Sequence, residues 1–225
     1  MHPIDILLES LDLDKLKLNL SKSNSLGNQY STFSLLQYAV KFNKIEIVKI
    51  LIDLEVNPNQ VTFNDNSYPL IESICENNKE ITDILINCKN INVNVYNDLL
   101  ESPLFYACLN NDYKLVKLLI EKGANVNHVN GSGESILSIT LDLNIVKLLL
   151  ISGANPNLEN NYDYSTPLIE AVRESNFNKI KLMVEHGAEI DHETTNSETA
   201  ISVAYNLKNE ELLKFLNDKL EVQYF

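Results

Sequence analysis

The sequence predicts an all-α solenoid of stacked helix-turn-helix units, one of them shortened, and three observations carry that prediction. The string KLLIEKGANVN, from Lys117 to Asn127, returns as KLLLISGANPN from Lys147 to Asn157 and as KLMVEHGAEID from Lys181 to Asp191, with a blunter copy, KILIDLEVNPN, from Lys49 to Asn59. A second string recurs in step with it, starting at Ser34, Tyr68, Ser102, Ser135, Thr166 and Thr199, at intervals of 34, 34, 33, 31 and 33 residues. Between the two strings the apolar residues keep helical spacing, with charged residues on the opposite face. A unit repeated at a fixed period near 33 is one supersecondary element that buries its apolar face only by stacking on its copies.

Taken in order, the chain divides as a single 1–225 domain with a capping half-repeat over 1–29, repeats over 30–63, 64–97, 98–130, 131–161 and 162–194, and a C-terminal cap over 195–225. Residues Ile4 to Leu20 read as two short helices that solvate the open end of the stack, followed by the polar connector SKSNSLGNQYS. Each second string is a helix start. A hydroxyl residue can accept from free N–H groups, and Pro69, Pro103 and Pro167 occupy the first helical position, where the lost donor was unpaired anyway. In the longer second helix, Leu115, Val116, Leu118, Leu119 and Ile120 form the buried stripe, and Lys114, Lys117 and Glu121 face water. Gly123, Gly153 and Gly187 follow the helix where a left-handed backbone is needed.

Three copies depart from this pattern. Glu55 replaces the terminal glycine in the copy from Ser34, and the copy from Tyr68 ends in CKNINVN, with one extra residue and no glycine. In the copy from Ser135, Thr140 reaches Val146 in six positions where Ala107 reaches Val116 in nine, so about three residues are lost from the first helix and its turn. A local irregularity and a weak joint in the stack are expected there. After Thr199 the chain runs into NLKNEELLKFLNDKLEVQYF, read as a capping helix with no separate effector domain.

Composition removes several function classes. The formal charge is −13, from 31 acidic against 18 basic residues, and Arg173 is the sole arginine. A nucleic-acid binder carries a basic face, so that class is set aside, and a basic protein partner suits the charge. Cys75, Cys88 and Cys108 are odd in number with no CxxC pairing, which points away from disulfides and zinc and toward a reducing compartment. The first twenty residues intersperse acids among leucines, so neither a secretory signal nor a membrane span is expected, and the protein is expected to be cytoplasmic. Gly131-Ser132-Gly133 has no lysine partner and reads as a loop turn; His186 and His192 lie near Glu185, Glu189, Asp191 and Glu193 but read as a solvated helix end. No nucleophile setting is visible, so neither catalysis nor a cofactor is expected.

The TPLHxA-like helix start and the LLxxGAxxN-like helix end, repeated in register over about residues 30 to 225, resemble ankyrin repeats. The histidine of the start motif is absent here, replaced by Gln37, Ile71, Phe105, Ser138, Ile169 and Ser202, which implies a reduced polar network between repeats. The resemblance also implies where a ligand meets the chain: the finger loops before each helix start and the exposed end of each first helix. Carried over copy by copy, those positions give Tyr30, Phe33, Phe42, Asp65, Glu76, Asp98, Glu101, Asn110, Glu134, Tyr162, Asp163, Arg173, Glu174 and Glu198 as the partner-binding set. Aromatic anchors among carboxylates fit a basic protein surface. The expected function is a non-catalytic interaction module, monomeric alone, that grips a basic partner and inhibits or neutralises it, as an immunity-type or host-factor-capturing protein would. The alternative is an adaptor that recruits its target to a larger complex such as a ubiquitin ligase.

Overall fold

A computed structural model describes residues 32–61 and 67–223, with the side chains of residues 32–34 and 223 outside the description. The helices expected between Ile4 and Leu20, together with Tyr30, Asp65 and the Phe33 side chain, lie outside the described residues. The chain forms two compact units, residues 1–98 and 99–225, each assembled from the same helix pair.

In the first unit, α1 (Thr32–Lys41) packs on α2 (Ile45–Asp53) and on α3 (Pro69–Cys75), while α2 packs on α4 (Lys79–Ile86). The second unit repeats that rule: first helices stack on first helices and second on second. Its first helices are α5 (Pro103–Leu109), α7 (Ile136–Ile139), α9 (Pro167–Arg173) and α11 (Ala200–Asn206). Its second helices are α6 (Tyr113–Glu121), α8 (Leu143–Ile151), α10 (Phe177–Glu185) and α12 (Glu210–Gln223). The core of this unit runs through Leu104, Val116, Leu119, Leu137, Val146, Leu149, Leu168, Ile180, Met183 and Leu216, all buried. Each such side chain contributes about 1.5–3 kcal/mol by leaving water, which is what offsets the ordering of these short helices.

Helix ends follow the sequence closely, with one correction. Ser102, Ser135 and Thr199 each accept from the N–H three residues on, at 3.2 Å, and Ser202 answers Thr199 to complete a capping box. Tyr68 and Thr166 do not cap, and the Thr166 hydroxyl is buried without a hydrogen-bond partner. Second helices are capped by Asn78, Asp112, Asp142, Asn176 and Asn209. At the helix ends Gly123, Gly153 and Gly187 have φ of 85°, 90° and 86°, and Glu55 takes the same left-handed state at 57°. The turn inside each full pair also passes through one left-handed residue: Asn43, Asn77, Asn111, Ser175 or Lys208.

The pair beginning at Ser135 lacks that turn. Helix α7 has four residues, and the chain leaves it through an extended Thr140 with no left-handed residue before α8. Truncating a helix removes the N–H donors that its last carbonyls would have met. Two replacements serve those carbonyls: the Thr140 hydroxyl donates to Ile136 O at 2.5 Å, and the Lys179 ammonium, from the next pair, donates to Ser138 O at 2.8 Å. Lys179 is fully buried, and the equivalent residue of every other described second helix is aliphatic: Ile47, Ile81, Leu115, Ile145 and Leu212. Burial pulls its pKa below the ordinary lysine value, against the opposing pull of Glu174 at 3.8 Å. The irregularity expected from the deletion is present, and a side chain from the neighbouring pair fills it.

The expectation of a reduced polar network needs the second correction. Gln37, standing where the motif has histidine, donates to Ser67 O at 2.8 Å in the next pair. Asparagines do more. Asn59 donates to Asn90 O and accepts from Asn92 N–H; Asn127 donates to Gly153 O and accepts from Asn155 N–H; Asn157 donates to Gly187 O and accepts from Glu189 N–H. One side chain thus joins two consecutive copies by two bonds, so this ladder adds polar cohesion between repeats where the motif histidine is missing.

Candidate protein-binding face

The finger loops of the second unit are held edge to edge by backbone. Leu99 O accepts from Gly131 N–H at 2.7 Å, Ser132 O from Asn161 N–H at 3.1 Å, and Asp163 O from Thr195 N–H at 2.9 Å. Within the loops, Asn130 Oδ1 accepts from the N–H groups of Ser132 and Glu134, and Asn160 Oδ1 from those of Tyr162 and Asp163. The result is a row of pinned loops whose outward side chains are positioned without belonging to a helix or strand. Gly131-Ser132-Gly133 is one of these turns, with Gly133 at φ 79° and no room for a side chain: a Cβ there would sit 2.4 Å from Asn161 N.

Several expected partner-binding residues project from this row. Tyr162 is 92% exposed, Glu134 and Glu174 are exposed, and Asn110 is the exposed residue closing α5. Glu101 is half-buried and accepts from the Tyr106 hydroxyl, a link between a loop and its own helix that recurs as Ser67 to Glu72 and Ser165 to Glu170. Phe42 and Glu76 are exposed in the first unit, with Phe42 stacked on Tyr38 at 4.4 Å between ring centroids, and Asp98 is the exposed last residue of that unit.

Asp163, Arg173 and Glu198 are brought together, but against one another. The Arg173 guanidinium donates to Asp163 Oδ2 and Glu198 Oε2 at 2.8 Å each and to Glu170 Oε1 at 3.1 Å. Burial alone would raise the Asp163 pKa; hydrogen bonds from Ser165, Arg173 and Asn160 outweigh it and hold the carboxyl well below the usual carboxylate range. Asp163 is therefore a buried structural anion, and the network pins the loop 160–165 to the end of α9 and to the following loop. Its signal in the sequence is the register itself, since Glu198 stands in the loop one copy beyond Arg173.

Two exposed apolar residues escaped the sequence reading, Leu100 and Tyr164, in the loops that also carry Leu99 and Tyr162. Among the described residues no three His, Cys, Asp or Glu side chains group as metal ligands. His186 Nδ1 bonds Leu182 O, and His192 Nε2 bonds Tyr164 O. Cys75 is exposed, whereas burial pushes the Cys108 thiol up to about 12 despite a hydrogen bond with Thr140. No described helix is long and apolar enough to cross a membrane.

A family profile described as ankyrin repeats in three copies matches residues 36–130 and 136–224. An ankyrin repeat protein of Fowlpox virus (strain NVSL) is 34% identical over 124 residues, which are 55% of this chain and 27% of the viral one. The human transient receptor potential cation channel subfamily A member 1 is 27% identical over 168 residues, 69% of this chain and 15% of the channel. An ankyrin repeat protein of Rickettsia felis is 26% identical over 196 residues, 84% of this chain and 70% of that one. The chain thus spans about a quarter or less of the first two relatives. Among solved structures, an ankyrin repeat domain from Acinetobacter baumannii AYE superposes with a TM-score of 0.72 at 22% identity, covering 82% of this chain and 96% of the other.

Proposed function

The chain belongs to the ankyrin repeat family, and from that premise we propose that it is a non-catalytic binding module whose finger-loop row grips a basic protein and inhibits it by occlusion. The observation that carries this reading is the charge of the row. The loops 99–101, 130–134, 160–165 and 194–198 contain four acids and no lysine or arginine, and the one guanidinium that reaches them, Arg173, is already shared by three carboxylates. Tyr162 and Leu99 stand out from this acidic ground as apolar anchors. Such a surface attracts a positively charged protein from a distance and rejects an acidic one. Inhibition follows from covering the partner's basic functional patch, without chemistry.

The test compares capture by the natural chain with capture by a variant carrying Glu101→Lys, Glu134→Lys and Glu174→Lys, three carboxylates outside the Arg173 network. The expected result is a basic protein retained by the first, lost by the second, associating more slowly as salt is raised, and regaining its own activity on release. Retention that ignores both charge reversal and salt would overturn the electrostatic reading; a captured partner that stays fully active in the complex would overturn inhibition.

A further inference from the structure

Four finger loops of the second unit share one backbone requirement and meet it with glycine, with a small serine or with a bulky residue. The residue two before each helix-start anchor is left-handed: Leu100 at φ 56°, Gly133 at 79°, Tyr164 at 58° and Ser197 at 56°. Glycine occupies that region at no steric cost, but a leucine or tyrosine there is a genuine outlier. The two copies with a bulky residue at this place close with a histidine after the GA-type string. His128 Nε2 lies 2.5 Å from Leu100 O, and His192 Nε2 lies 2.7 Å from Tyr164 O. The loop with Gly133 carries Leu158 at the matching place, counted from its own GA-type string. Histidine thus accompanies the two bulky fingertip residues, is absent where the fingertip is glycine, and has no counterpart for the small Ser197, after which no GA-type string follows.

We infer that His128 and His192 are positioning residues, clamps that hold the carbonyl of a non-glycine fingertip so that Leu100 and Tyr164 remain left-handed and displayed. The chemistry is a ring N–H donating to a carbonyl that would otherwise be free to rotate as the residue relaxes toward negative φ. Tyr164 O can only accept, so its 2.7 Å contact places the proton on His192 Nε2, while Glu159 lies 3.9 Å from Nδ1, beyond hydrogen-bond reach. The outcome is that Leu99 with Leu100, and Tyr162 with Tyr164, project from two fingertips on either side of one whose turn is made of Gly131, Ser132 and Gly133. The purpose assigned to the clamps, presenting these side chains to a partner, rests on the binding-face reading; the clamping itself does not.

The experiment is therefore made on the whole chain without a partner. Urea unfolding is measured for the natural protein, His192→Ala, Tyr164→Gly and the double variant. His192→Ala is expected to lower the folding equilibrium constant about tenfold in the natural background and less than about twofold in the Tyr164→Gly background, since glycine needs no clamp. Nitrogen-15 shifts of the His192 ring should report Nε2 as the protonated nitrogen, and should lose that preference in Tyr164→Gly. If His192→Ala does not fold, Tyr164→Gly is expected to restore folding to it, and His192→Gln, which keeps an N–H donor, to fold by itself. Equal losses in the two backgrounds, or an Nδ1-protonated ring, would overturn the clamp while leaving the charge test of the binding face untouched.

Discussion

The pairs beginning at Ser102 and at Ser135 occupy successive places in one stack and solve the same problem differently. The first has a seven-residue helix, a turn through Asn111 and an aliphatic Leu115 on its second helix. The second has a four-residue helix and no such turn, and its open carbonyl at Ser138 is met by Lys179 from the copy that follows. A repeat protein therefore tolerates the loss of a turn when its neighbour can supply a donor of sufficient reach. The position that changes is the one facing the gap, so a deletion in one copy is legible as an odd residue in the next.

The comparison is broken most severely by putting a lysine where no carbonyl waits. Ile145→Lys, at the place equivalent to Lys179 but facing the intact α5 pair, should cost about 3–5 kcal/mol as an uncompensated buried charge, read as a lower denaturant midpoint. Lys179→Leu leaves the half-buried Ser138 O without its donor, for about 1–3 kcal/mol, partly offset by the relieved desolvation of the ammonium. Inserting three residues after Thr140 to rebuild the turn should make Lys179→Leu neutral or stabilising; the same loss with and without the insertion would sink the compensation. Asn157→Ala removes one two-bond bridge and should cost about 1 kcal/mol, with no change in helix content by circular dichroism.

The smallest effect is in pH. Lys179 has its folded pKa lowered, so between that value and the unfolded lysine value of about 10.4 the unfolded chain binds more protons and stability rises with pH. Lys179→Leu should remove that alkaline rise relative to the natural protein. Asp163 also has a lowered pKa, but there it is the charged form that the fold favours: its contribution is present above about pH 3.9 and lost as pH falls toward the folded value, so Asp163→Asn should flatten the acid limb of the stability profile.

The helix pairs, their glycine ends and the shortened copy were all readable in the sequence because each depends on residues close together in the chain. The Arg173 cluster was not, because its partners stand 10 residues before and 25 after the arginine and meet only through stacking. Lys179 was passed over for a similar reason: in isolation its helix reads as one lysine among several, and only the column of Ile47, Ile81, Leu115, Ile145 and Leu212 exposes it. Asp163 shows the limit of reading sites by position, since a loop acid at a contact register became an internal hydrogen-bond acceptor.

The asparagine ladder also gives the molecule a chemical lifetime. Each rung uses the amide as donor and acceptor at once, toward a carbonyl on one side and an N–H on the other. Hydrolysis of Asn127 or Asn157 to aspartate would keep the acceptor and turn the donor into an anion facing the carbonyl of Gly153 or Gly187. The place is discriminating: where no further GA-type loop follows, the chain itself carries Asp191. Ageing by deamidation at these sites would open the stack one rung at a time, without touching a single core residue.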